Sequence, residues 1–387
     1  MNKRLQNICI VCISYIYILW RGSGKKAIGP KKFVVIQPTG NLGDMVCVTP
    51  LLHAIKRNIP SGHITVIGSS GNRQLLEDSP DVDVYKVMPQ SVWKLISFAS
   101  EGKFDAGIVV GIDSLHVGAL FLGGVTTISC FELSTEYRHM EPKPYKLISR
   151  LVHTVKYFPG KYIPDQFLRL LIPLGIAETT AEKLLSFSPK SYKKVTSMLE
   201  SVHIQKNEKF IAIAPGAGSD LKRWPATRFA EVAYHMMKRY AVKVVIIGGP
   251  HDQQAVQEMI ADIDSSVQYW NPGPLPFDEL KALLAHAHIV IGNDSGAIHV
   301  GEAVGALTLT IAGATDTTEH MKEDTRHRIV KGDALGARYQ AYIVNEAEMN
   351  PELARVQMES VTVDMVANVT DELMTPSSPA IRVHKYL

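Results

Sequence analysis

Two series of short apolar runs, each alternating with amphipathic stretches, constrain this chain more than anything else in it. The first begins at residue 33. FVVIQ (33–37), HITVIGS (63–69), VDVYKV (82–87), AGIVVGI (106–112) and TTISCF (126–131) read as strands. Between the first two, TPLLHAIKRNI (49–59) puts Leu51, Leu52, Ile55 and Ile59 on one side of a helix. The second series begins near residue 209. Its strands are KFIAIAP (209–215), AVKVVIIGG (241–249), HIVIGN (288–293) and LTLTIAG (307–313). Its helices are ATRFAEVAYHMMKRY (226–240), DQQAVQEMIADI (252–263), FDELKALLAHA (277–287) and SGAIHVGEAVG (295–305). Apolar strands that alternate with helices imply parallel sheets covered by helices on both faces.

The intervening segment, about 138–208, contains YKLISRLVHTV and AEKLLSF and reads as helix and loop. The expected fold class is therefore α/β, with two Rossmann-like doubly wound domains facing a central cleft. The expected boundaries are an extension over 1–32, an N-terminal domain with its helical connection over 33–205, and a C-terminal domain over 206–387. MVANVTDELM (365–374) supplies a late helix to close the second domain. A chain of 387 residues has ample length for two cores.

Charge narrows the function classes. Lys plus Arg number 41 and Asp plus Glu 38, a net +3 that does not suggest a nucleic-acid binder. The first 32 residues are different. They hold Lys3, Arg4, Arg21, Lys25, Lys26, Lys31 and Lys32 with no acidic residue, around the apolar run ICIVCISYIYILW (8–20). Thirteen residues fall short of the usual membrane-spanning length. Lys3 and Arg4 before the run resemble a signal-peptide start, but no small-x-small site follows. Basic residues on the far side also disfavour export. The favoured expectation is a cytoplasmic protein, peripheral on the inner membrane, with a short membrane-seeking segment. A poorly ordered extension and an extra buried helix are the alternatives. Four cysteines, Cys9, Cys12, Cys47 and Cys130, are too few for a disulfide framework. Cys9 and Cys12 form a C-x-x-C without a second pair, which reads as chance.

Standard nucleotide loops are absent. Gly24-Lys25 lacks the rest of a Walker A loop, and GAGSDL (216–221) has Leu where a dinucleotide fingerprint needs its third Gly. HExxH is missing, and His286 and His288 lie where a helix meets a buried strand, which favours a structural role. Three loops remain, each at the carboxyl end of an expected strand, where open α/β sheets bind ligands. In PTGNLGD (38–44), Gly40 and Gly43 permit a tight turn and Asp44 lies near a helix start, as an N-cap or as a catalytic base. In PGAGSDLKRWP (215–225), Gly216 and Gly218 give a turn beside Lys222 and Arg223, which suits a phosphate; a solvated basic loop with Trp224 in the core is the plain alternative. In GNDSGAIHVGEA (292–303), Asp294 or Ser295 caps a helix whose amides at Ser295, Gly296 and Ala297 face an anion. Asp294 is also placed to accept bonds from sugar hydroxyls. His299 belongs in a supporting or core position, and Gly249 and Thr315, from GATD (313–316), lie where they can line the same cleft.

Together GNLGDMVCVTPLLHAIK, PGAGSDLKRWPATRFAEVA and GNDSGAIHVGEAVGALTLTIAG resemble glycosyltransferase family 9, the ADP-heptose:lipopolysaccharide heptosyltransferases. The resemblance covers about residues 33–330 and leaves out 1–32. It implies a GT-B fold, with acceptor on the N-terminal half and nucleotide-sugar on the C-terminal half. It implies inverting transfer with no metal and no cofactor beyond the donor substrate. By position Asp44 matches the catalytic base, Lys222 a phosphate-contacting lysine, and Asp294, Ser295 and Gly296 the donor-binding helix start. The implied partners are a nucleotide-sugar, ADP-heptose by family default, and an anionic lipid-linked glycan at the inner-membrane surface. Residues 138–162 carry six basic residues and one acidic one, which suits such an acceptor as well as an ordinary basic face. Another nucleotide-sugar donor, or a catalytically silent nucleotide-sugar-binding scaffold, are the competing readings.

Overall fold

The fold was examined in a computed structural model, which describes residues 3–21, 29–206, 208–313, 315–332, 334 and 349–375. The chain divides into two units, Met1–Leu184 and Leu185–Leu387.

The first unit opens with helix α1 (Lys3–Arg21). Then follow β1 (Lys32–Ile36), α2 (Leu42–Asn58), β2 (His63–Gly68), α3 (Arg73–Leu76), β3 (Val84–Val87), α4 (Val92–Gly102), β4 (Ala106–Val109), α5 (Ser114–Leu122), β5 (Thr127–Leu133), α6 (Lys143–Ile148), β6 (His153–Tyr157) and α7 (Ile163–Arg169). Its strands form one parallel sheet in the order β3-β2-β1-β4-β5-β6. Phe33 of β1 is level with Ile64 on one side and Ala106 on the other. β1 is buried along Phe33–Ile36, as a central strand with helices on both faces must be.

The second unit comprises α8 (Pro189–Ser201), β7 (Phe210–Ala214), α9 (Ala226–Tyr240), β8 (Lys243–Ile246), α10 (Gln253–Asp262), β9 (Tyr269–Trp270), α11 (Phe277–His286), β10 (Ile289–Asn293), α12 (Gly296–Ala303), β11 (Leu307–Ala312), β12 (His327–Lys331), α13 (Pro351–Glu359) and α14 (Val363–Met374). Its parallel sheet runs β12-β11-β10-β7-β8-β9. Counted from each unit's own first strand, both sheets have the doubly wound order 3-2-1-4-5-6. The strand order reverses between β1 and β4, and again between β7 and β10. Loops leaving those strands form the crevice in which such sheets take ligands. The fold class expected from the alternating runs is thus the one observed.

The unit boundary falls after Leu184, earlier than the expected 205. The physical reason is α8, which packs against α11 of the second unit. Ser188 is the N-cap of α8, and its hydroxyl donates to Asp278 at 2.6 Å. Within the segment read as helix and loop, HTVKY forms β6 against β5, and AEKLLSF forms no regular element. The late helix α14 does cover the second sheet, lying on α9, β11 and β12.

The extension contributes to the first core. Ile10 is fully buried with Val117, Tyr145 and Ile148, and a Cβ on Gly118 would collide with it. Burial of one such side chain contributes about 2 kcal/mol. The Asn7 side chain accepts from the Ser114 hydroxyl at 2.7 Å. Of the expectations for this segment, an added helix with a buried face is the one the structure shows. Among the described residues no helix is long and apolar enough to cross a membrane.

Candidate active site

In the first unit the site starts at Ile36, where β1 ends. Gln37 is buried, and its side-chain oxygen accepts from the Thr39 amide at 3.2 Å. Asn72, fully buried at the start of α3, donates to the Thr39 and Asn41 carbonyls, both at 3.4 Å. These two amides hold the loop 38–41 from beneath. Gly111 at the end of β4 has φ +136°, a conformation open to glycine, and a Cβ there would press on Pro38.

Asp44 is the third residue of α2 and is not its N-cap. That position belongs to Asn41, whose side chain makes no capping bond. The Asp44 carboxylate instead accepts from the Thr39 hydroxyl at 2.7 Å and the Asn41 side-chain amide at 3.3 Å. Of the two sequence readings, capping is therefore removed. What stands there is a half-buried carboxylate in the first turn of a helix, oriented by two donors, where the helix dipole favours negative charge. A Cβ on Gly40 would meet nothing within 4 Å, so that side of the loop is open. Gly43 lies in the same first turn.

In the second unit the organising group is Asp294, which directly follows β10. It is buried, with the Lys222 ammonium 3.3 Å from Oδ2 and the Thr315 hydroxyl donating to the same oxygen at 3.1 Å. Nε2 of buried His299 stands 3.6 Å from Oδ1. Burial alone opposes ionisation of Asp294. The attraction of Lys222 and the hydrogen bond and charge of His299, with His320 beyond, outweigh it and hold the carboxyl far below the usual carboxylate range. Asp294 is thus a fixed negative charge that anchors Lys222. The sequence reading offered Asp294 as an acceptor for sugar hydroxyls; the structure surrounds its carboxylate with Lys222, Thr315 and His299. Thr315 and His299 belong to this cluster.

Lys222 keeps 25% of its side chain exposed, so its ammonium touches both Asp294 and solvent. It sits at the end of a 3-10 turn (Asp220–Lys222) that the Ser219 hydroxyl caps. Arg223 pairs with Asp220 at 2.8 Å. Ser295 is the N-cap of α12 without a side-chain capping bond. The first-turn amides of Ser295, Gly296 and Ala297 lie where a helix has no internal acceptor for them.

Gly216, read from the sequence as part of a turn, and Gly249, read as lining the cleft, both pack against Asp252. A Cβ on Gly216 would collide with the Asp252 carboxylate, and the Gly249 amide donates to Asp252 at 2.8 Å. Gly218 is the open position in that loop.

Asn293 is the residue that sequence reasoning missed. Its side chain is fully buried at the end of β10. Its amide nitrogen donates to the carbonyls of Pro215 at 2.9 Å and Gly216 at 3.1 Å, and its oxygen accepts from the Trp224 amide at 2.9 Å. One side chain therefore ties both ends of the 215–224 loop to the strand that carries Asp294. Trp224 is fully buried, and its indole donates to the Val361 carbonyl at 2.9 Å. This core position of Trp224 matches the plain reading of that loop, while Lys222 beside it stays one-quarter exposed.

His286 and His288 do not converge. The His286 ring stacks on Tyr192 at 4.5 Å, and His288 is buried with its Nε2 unpartnered. Burial, with Lys209 nearby, pushes His288 down to about 4. Among the described residues no group of three His, Cys, Asp or Glu side chains is placed to hold a metal. Cys9, Cys12, Cys47 and Cys130 are all free thiols.

The two doubly wound sheets are those of the GT-B fold, and the relatives this chain matches are glycosyltransferases. The family model "Glycosyltransferase family 9 (heptosyltransferase)" matches residues 164–351. The chain is 24% identical to lipopolysaccharide heptosyltransferase 3 of Escherichia coli, over 71% of its own length and 81% of that protein's. Among solved structures it is similar to the family 9 glycosyl transferase of Veillonella parvula, with a TM-score of 0.70, 20% identity and coverage of 89% and 97% of the two chains. It is also similar to the ADP-heptose lps heptosyltransferase II of Escherichia coli, with a TM-score of 0.63, 19% identity and coverage of 89% and 98%. The chain is thus similar to glycosyltransferase family 9, by a family match over residues 164–351 and by these relatives.

Proposed function

We propose that this enzyme transfers a heptose from ADP-heptose, with inversion and without a metal, onto a lipopolysaccharide core or a related surface glycan. The donor and acceptor classes follow those named for its relatives. The single observation that carries the reading is the Asp294–Lys222–Thr315–His299 cluster beside the N-terminus of α12.

The chemistry follows from these groups. An acceptor hydroxyl is a poor nucleophile at neutral pH. Asp44 takes its proton as the new bond to the anomeric carbon forms. On the opposite face the bond to the diphosphate oxygen breaks, which inverts the carbon and releases the nucleoside diphosphate. Negative charge grows on that leaving group. Lys222, Arg223 and the amides at 295–297 are the groups that meet it, and each such contact is worth on the order of 2–4 kcal/mol. Asp294 holds Lys222 aimed before the donor arrives, so little reorganisation is needed during reaction. Thr39 and Asn41 do the same for Asp44.

A donor panel tests the reading. The enzyme is incubated with ADP-heptose and with other ADP-, UDP- and GDP-sugars in the presence of a lipopolysaccharide core acceptor, and nucleoside diphosphate release is measured. Release from ADP-heptose alone is expected. Turnover confined to another donor would reassign the substrate, and binding without turnover of any donor would leave a silent scaffold.

A further inference from the structure

Helix α1 is apolar on two sides, and its fold buries only one of them. Ile10 and Ser14 are fully buried, and Tyr17 meets the Phe121 ring edge-on at 5.9 Å. The other side presents Leu5 (51% exposed), Ile8 (50%), Cys12 and Ile16 (62%), spaced to fall on one helical face. That stripe runs for about 16 Å along the helix. The surface continues onto α6. The Tyr15 hydroxyl donates to the Leu147 carbonyl at 3.1 Å, so exposed Leu147 lies beside the stripe.

Cations border this patch. Arg4 is exposed at the start of α1 on the flank of the stripe, and Lys143 and Arg150 are exposed on and just after α6. Neither α1 nor the stretch 143–151 contains an acidic residue. Glu141, the nearest acid in sequence, is buried and accepts from the Leu133 amide. A second copy of the same face would bring these cations against one another. A bilayer of anionic lipid offers both an apolar interior and negative headgroups.

We propose that the α1–α6 face docks on an anionic lipid bilayer, with Leu5, Ile8, Ile16 and Leu147 entering the interfacial zone and Lys143 and Arg150 meeting headgroup phosphates. The helix lies flat because its inner side is already committed to the core of the first unit. This places the enzyme at a surface where lipid-linked substrates reside. The inference does not depend on which nucleotide sugar the site takes.

Vesicle flotation of the full chain tests it, using phosphatidylcholine vesicles with and without phosphatidylglycerol. The wild-type chain is expected to float with the anionic vesicles, less at high salt, and to stay behind with phosphatidylcholine alone. Two double variants at exposed positions, Ile8→Glu/Ile16→Glu and Lys143→Glu/Arg150→Glu, are each expected to lose at least about tenfold in partitioning. Thermal melting and ADP affinity should remain as in the wild type, which separates lost docking from lost folding or a wrong donor. Equal partitioning of wild type and both variants would overturn the proposal. So would failure of the wild type to float, or a lipid-free dimer that Ile8→Glu/Ile16→Glu converts to a monomer.

Discussion

The Lys222–Asp294 pair makes a quantitative test of how the donor site is built. Removing one partner of a buried ion pair costs about 3–5 kcal/mol, because the other charge is left stranded. Here Lys222 is one-quarter exposed and Asp294 retains Thr315 and His299, so the loss is smaller. Lys222→Met is expected to destabilise the second unit by on the order of 2 kcal/mol, and Asp294→Asn by a similar amount. The double variant should not lose the sum. With both charges gone it should lose about 2 kcal/mol, which makes the coupling also about 2 kcal/mol. Urea unfolding of the full chain measures this, with local amide exchange to separate the two units. Transfer activity should not follow stability. It should fall in each single variant and stay low in the double, because Lys222 is gone from Lys222→Met and the double and has lost its anchor in Asp294→Asn. Losses that add to within about 0.5 kcal/mol would show that the two side chains are not coupled and refute the anchoring argument.

Four further outcomes follow from the site and its surroundings. Asn293→Ala strands two buried carbonyls and one amide, each worth about 1–3 kcal/mol, so it should destabilise the second unit strongly and lower donor affinity, as calorimetry would show. His288 titrates below its unfolded value of about 6.5, so the unfolded chain takes up its proton first as pH falls. Stability should therefore decline by on the order of 2–3 kcal/mol between roughly pH 6.5 and 4, and His288→Leu should flatten that part of the curve. Asp294 acts with the same sign but at lower pH. Its contribution is complete above an unfolded value of about 3.9 and is lost only as pH falls through its much lower folded value, so Asp294→Asn should leave the slope between pH 6.5 and 4 unchanged. Thr39→Val removes the shortest bond to Asp44 and should lower kcat more than it raises KM for the acceptor.

The central strands were legible because both of their faces are covered, which leaves an uninterrupted apolar run such as FVVI or IVIG. The edges were not. β6 alternates exposed and buried residues, β9 has only two residues, and β12 reads HRIVK, so each depends on its neighbour for definition. The same division holds in the site. Asp44, Lys222 and Asp294 were visible as carboxylate and cation at strand-to-helix joints. Their couplings were not, since Lys222 and Asp294 are 72 residues apart and Asn293 lies 69 residues from Trp224. One signal was available. Gln37 and Asn293 are polar residues at the ends of apolar strands, and a buried amide there must bond the loops around it. Local sequence placed Asp44 correctly at a helix start and left its role open. Only the position of Asn41 before it showed that the cap was another residue.

The most direct test of the account is Asp44→Asn in a single-turnover transfer assay with donor affinity measured beside it. The substitution keeps the shape of the side chain and removes its capacity to take a proton. Transfer is expected to fall by about 10²–10⁴-fold while ADP-sugar affinity stays at the wild-type value. Near wild-type turnover in that variant would contradict the assignment of Asp44 as the base.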